Sequence, residues 1–152
     1  MRLTTLKLKN FRGYRGETVV GFDDLTAFVG KNDVGKSTIL EALDIFFNDK
    51  NSVAKIEKGD INKQSQQDGD TDICISACFS ELPERIVIDS SNETSFSAEY
   101  LLNESSELEI VKKYPNGGTA KVYVRANHPK NPMCCDLLSK TNAELKKLLN
   151  EQ

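Results

Sequence analysis

Histidine is almost missing from this chain, and the one present, His128, has no second ligand near it. The four cysteines do not make up for it. Cys74 and Cys78 lie in an apolar, strand-like run, and Cys134 and Cys135 are adjacent, so no pair has zinc-finger spacing. Buried or incidental thiols account for them better than a metal centre. No apolar run approaches the roughly 18 residues needed to cross a bilayer. Met1 to Lys7 lacks the apolar core of a signal peptide. Both absences predict a cytoplasmic protein with no membrane association, in which the sequons at Asn92 and Asn103 carry nothing. An excess of positive charge is lacking too. The formal net charge is −3, so only a local basic face could attract nucleic acid. There are no internal repeats. What remains is a chain of 152 residues, 38% hydrophobic and 28% charged, the size and make-up of one globular domain.

Along the chain, Leu3 to Lys9 alternates, with Leu6 and Leu8 on one side and Lys7 and Lys9 on the other, which predicts a half-buried strand. Asn10 to Gly16 reads as a loop and Glu17 to Phe22 as a second strand, ended by a turn at Asp23-Asp24. Leu25 to Val29 is a short apolar run of the kind expected of a strand buried on both faces. From Ser37 to Phe47, the residues Ile39, Leu40, Leu43, Phe46 and Phe47 recur at helical spacing. Residues 51–72 are polar and predict a mobile surface loop with room for one short turn. Ile73 to Phe79 and Phe96 to Leu102 read as strands, while Pro83 to Asp89 fits helix or strand equally. Leu108 to Tyr114 and Thr119 to Arg125 flank Pro115-Asn116-Gly117-Gly118, whose Asn-Gly pair supplies the positive φ angles of a hairpin turn. Leu137 to Leu149 has helical spacing, with Thr141 or Asn142 as cap for its second half. The expected units are residues 1–50 with strands, glycine loop and helix, the loop 51–72, antiparallel strands over 73–127, and a helical segment over 133–152.

Gly30-Lys31-Asn32-Asp33-Val34-Gly35-Lys36-Ser37 matches G-x-x-x-x-G-K-[ST] without a gap. A triphosphate needs many donors converging on a small volume. Backbone amides supply them only where no side chain blocks the approach, hence Gly30 and Gly35. A helix starting near Lys36 points its free N–H groups and its positive end at the same place. In this pattern Lys36 reaches the β- and γ-phosphates, and the Ser37 hydroxyl coordinates Mg²⁺. The four fixed positions occur by chance in under roughly 1% of chains this long. The expected cofactors are therefore ATP and Mg²⁺.

Leu6-Lys7-Leu8-Lys9-Asn10-Phe11-Arg12, the loop with Thr38 after it, and Ile39-Leu40-Glu41-Ala42-Leu43 together resemble the SMC/RecF/OLD group of ABC-type ATPases. The match is strong over residues 1–47, and the later part is more weakly similar to the first lobe of OLD-family ATPases of phage defence. The resemblance implies an α/β P-loop NTPase fold, the amino-terminal half of an ABC-type head, with an antiparallel β subdomain and a C-terminal helix. It implies ATP hydrolysis by a head that pairs with a second copy around two nucleotides, and work on DNA in repair or defence. By the same match Arg12 lies near the phosphates, and Lys31, Asn32, Asp33, Val34 and Thr38 line the loop. Lys7, Lys9, Arg12 and Arg15 read either as solvated strand edges or as a small basic patch for DNA.

The sequence also departs from that family. Ile86-Val87-Ile88-Asp89-Ser90 is the nearest approach to a Walker B strand, but it lacks the glutamate and comes too early. Asn116-Gly117-Gly118 is a hairpin turn and not a signature helix start. The chain therefore reads as the amino-terminal piece of a larger protein, with no catalytic residue of its own. Two other readings stay open: a truncated, non-catalytic module that binds nucleotide, and a P-loop kinase. The kinase reading has only Arg85 and Arg125 as late arginines.

Overall fold

The computed structural model describes residues 1–30, 35–48, 51–89, 92–128 and 141–150. Its frame is a five-stranded sheet in the order β2-β1-β3-β6-β7, in which every neighbouring pair is antiparallel. β1 is Arg2–Lys9, β2 Thr18–Gly21, β3 Ile73–Ser80, β6 Leu108–Tyr114 and β7 Lys121–Arg125. A separate pair joins β4, Ile86–Asp89, to β5, Asn92–Thr94. Helix α1 is Lys36–Asn48, α2 is Lys63–Gln67 and α3 is Asn142–Asn150.

Register decides which residues form the core. Leu6 pairs with Ala77, Leu8 with Ile75, Phe79 with Leu108 and Ile73 with Tyr114, which sets these apolar side chains on one face. Helix α1 covers that face with Ile39, Ala42, Ile45 and Phe46, all buried. The Phe46 and Phe47 rings pack on Phe79, with centroids 6.5 and 6.1 Å away. The opposite face is polar. Lys7, Ser76, Cys78, Glu109 and Arg125 meet there, and the buried Glu109 carboxylate holds Lys7 at 2.9 Å. Arg125 Nη1 lies 3.0 Å from the other Glu109 oxygen, close enough for charge attraction but without hydrogen-bond alignment.

The structure follows the expectation for β1, β2, β3, α1 and the β6–β7 hairpin. At the hairpin tip Asn116 has φ 52° and Gly117 φ 66°. Thr141 and Glu144 form a capping box before α3, the oxygen of the Glu144 carboxylate accepting from the Thr141 N–H at 2.7 Å. The first part of the expected 133–152 helix, up to residue 140, lies outside the described residues.

Three expectations are corrected. Leu25 to Val29 is not a strand, and Leu25 and Val29 are 90% and 94% exposed. An apolar run becomes a strand only beside a ladder partner, and among the described residues none lies next to this one. The core is therefore α1 against the antiparallel sheet, without a strand leading into Gly30. Phe96 to Leu102 is a series of turns, closed by Glu99 N–H to Ser95 and Leu101 N–H to Phe96 at 3.1 and 2.9 Å. Residues 51–72, expected as a mobile loop, carry a 3-10 turn at Lys58–Asp60 and helix α2, and they are bolted to the rest. Asn10, fully buried, donates its amide to the Asp70 and Asp72 carbonyls at 2.8 and 3.2 Å. Asn62 caps α2 and donates to the Arg12 carbonyl at 2.7 Å. Polar composition suggested a solvated loop, but here the polar groups bond inward.

Candidate functional site

Gly30 and Gly35 bracket the phosphate-loop motif, and Lys36 opens α1. Lys31, Asn32, Asp33 and Val34 lie outside the described residues. The two ends of the loop are tied by a side chain: Lys36 Nζ donates to the Gly30 carbonyl oxygen at 2.5 Å. The ammonium thus lies at the Gly30 end of the motif, on the same side as the start of α1. No acidic residue occupies the first turn of α1, so the positive end of the helix is not offset by its own side chains. Ser37 is exposed and Thr38 half-buried. An exposed hydroxyl one residue after the lysine fits a single ligand for Mg²⁺, with phosphate and water oxygens as the rest. The ion would neutralise phosphate charge there.

Gly35 has φ +83°, the left-handed region that glycine enters without cost. Beside it stands Tyr14, which the sequence did not mark. Its hydroxyl donates to the Gly35 carbonyl at 3.3 Å. Tyr14 belongs to a tight turn in which Phe11 and Tyr14 exchange two backbone hydrogen bonds of 2.9 Å. Arg12, at the corner of that turn with φ 51°, sends its guanidinium to Glu41 on α1 at 2.5 Å and to Asp60 at 2.8 Å. Partial burial opposes its charge, but the bonds to Asp60 and Glu41 outweigh this and hold its pKa above the ordinary value. Arg12 is thus a tie between the amino-terminal turn, the phosphate-loop helix and the segment around Asp60.

The four basic residues considered as a DNA patch are all paired. Lys7 bonds Glu109, Lys9 bonds Asp70 at 3.0 Å, Arg12 bonds Glu41 and Asp60, and Arg15 bonds Asp68. They form no unbalanced cationic surface. Asp89 lies in β4, in the two-stranded pair and not in the five-stranded sheet that carries α1.

Tyr14 and Asn10 are what sequence reasoning missed. A tyrosine between two glycines, a few residues from an asparagine that can take positive φ, was the available signal. Among the described residues no helix is long and apolar enough to cross a membrane.

Structural maintenance of chromosomes protein 1 of Schizosaccharomyces pombe is 38% identical over 52 residues, 34% of this chain and 4% of that protein. Its Caenorhabditis elegans counterpart is 35% identical over 57 residues, 37% of this chain and again 4% of the relative. The matched stretch is thus a small part of either relative's length. A solved structure from work on ATP-driven dimerization and DNA-stimulated activation of SMC ATPases superposes with a TM-score of 0.54 at 16% identity, covering 99% of both chains. The mixed α/β fold with its antiparallel sheet is therefore that of an SMC ATPase head. The family model for the AAA ATPase domain matches residues 1–152, and the chain belongs to that ATP-binding family.

Proposed function

We propose that this chain is the nucleotide-holding lobe of an SMC-like ABC-type ATPase, binding Mg²⁺-ATP through Gly30 to Ser37. The observation that carries this is the Lys36 ammonium drawn back over Gly30 at the positive end of α1, whose first turn holds no acidic residue. The N–H groups at the start of α1 would receive phosphate oxygens. Lys36 would add charge-assisted contacts to the β- and γ-phosphates, each contributing on the order of 1.5–3 kcal/mol. Ser37 would hold the metal. Arg12, through Glu41, would keep the helix seated while the loop takes up its ligand.

In this reading the lobe works as part of a head that pairs with a second copy across the nucleotides. SMC ATPases are the subject of work on ATP-driven dimerization and DNA-stimulated activation, and we carry both features to this chain. DNA repair or phage defence is the setting, with the OLD-like branch preferred on the sequence pattern. Hydrolysis needs an oriented water and a carboxylate near the metal, which the phosphate loop does not supply.

Calorimetric titration with Mg²⁺-ATP tests the site. Wild type should bind and Lys36→Ala should not, while unchanged affinity in Lys36→Ala would sink the assignment. In the same preparations phosphate release by the wild-type chain alone should barely exceed that of Lys36→Ala. Robust Lys36-dependent turnover would mean that a carboxylate such as Asp89 had been wrongly dismissed.

A further inference from the structure

We infer that Tyr14 is a positioning residue of the phosphate loop, aiming the Lys36 backbone N–H into the site; this rests on the nucleotide-binding reading above. The Gly35 carbonyl oxygen accepts two bonds, one from the Tyr14 hydroxyl at 3.3 Å and one from the Ile39 N–H at 3.2 Å. In a planar trans peptide the carbonyl of one residue and the N–H of the next point in opposite directions. Fixing the Gly35 carbonyl therefore fixes the Lys36 N–H on the opposite side. Tyr14 thus adds a side-chain bond to the first bond of α1 at this peptide, at the end of the helix where fraying begins.

Tyr14 also explains why residue 35 is glycine in a second way. A Cβ at Gly35 would lie 2.8 Å from the Tyr14 hydroxyl oxygen and 3.2 Å from the ring carbon that bears it. The space a side chain would take is already filled by the tyrosine. Tyr14 is in turn held: its ring packs on the hydrophobic core, and its backbone is bonded both ways to Phe11. Arg12 fastens the same turn to Glu41 and Asp60. The hydroxyl thus transmits the position of β1 to one peptide of the loop.

The test compares wild type, Tyr14→Phe, Tyr14→Ala and Lys36→Ala by Mg²⁺-ATP calorimetry and thermal unfolding. Tyr14→Ala should lower both the melting temperature and the affinity. Phenylalanine keeps the ring, so Tyr14→Phe should restore the melting temperature but leave affinity about two- to tenfold below wild type, the loss of one neutral hydrogen bond. In the nucleotide-free protein the Lys36 amide resonance should shift in Tyr14→Phe. Full restoration of affinity by phenylalanine, or an unmoved Lys36 amide, would overturn the proposal while leaving Lys36-dependent binding intact. Binding that does not depend on Lys36 would remove the phosphate-loop reading and this proposal with it.

Discussion

Cys78 pairs with Glu109 across β3 and β6, and both side chains are almost wholly buried. Burial, and then the neighbouring Glu109 carboxylate, push the Cys78 thiol up from 9.0 to about 11. The thiol stays protonated in the fold at a pH where the unfolded chain has begun to lose its proton. A raised folded pKa contributes stability below the unfolded value, and this stability is lost as pH rises through the folded one. Unfolding by urea should therefore become easier between pH 9 and about 11, and Cys78→Ala should flatten that alkaline limb relative to wild type. Identical limbs would disprove it. At this scale the phosphate-loop motif is legible because all its residues are contiguous, from Gly30 to Ser37. Tyr14 and Asn10 were not, because their partners lie 21 and 60 positions away and nothing in the local pattern names them.

The elements read from sequence were those whose signal is local. Asn116-Gly117 carries its turn in its own φ angles, and β3 carries its burial in an apolar run broken only by Ser76 before Phe79. Leu25 to Val29 has the same kind of run, yet the strand would have needed a neighbour, which composition does not encode. Segment 51–72 failed the other way, since its inward hydrogen bonds to Asn10 and Arg12 depend on where β1 ends. The hairpin tip is also docked. A Cβ on Gly117 would meet the backbone carbonyl of Glu57 at 2.9 Å, and backbone cannot step aside as a side-chain tip can. Gly117→Ala should therefore cost about 1–3 kcal/mol, through lost left-handed freedom and a displaced 57–60 turn. Denaturant melts would show a lowered midpoint with an unchanged slope, whereas Gly59→Ala, with open space around it, serves as the control.

For the molecule as a whole, large apolar side chains stand exposed on both sides of the phosphate-loop motif in sequence. Leu25 and Val29 precede it, and Leu40 and Phe47 lie about two turns apart on α1, 56% and 52% exposed. Surface of this kind favours association. Sedimentation of the purified chain should show concentration-dependent self-association without nucleotide, reduced in a Leu25→Ser, Val29→Ser variant. A monomer at all concentrations would refute this. The strand order has a temporal consequence too. β1 is made first, but Leu6 meets Ala77 only after β3 exists, and the Thr4 hydroxyl bonds Glu107, 103 positions away. Loops of that length close slowly, because their entropy must be lost before any contact offsets it. The floor on which α1 rests thus forms only after strands far downstream of the helix have been made. Helix α1, though encoded early, gains its packing surface only once nearly the whole sheet has been made.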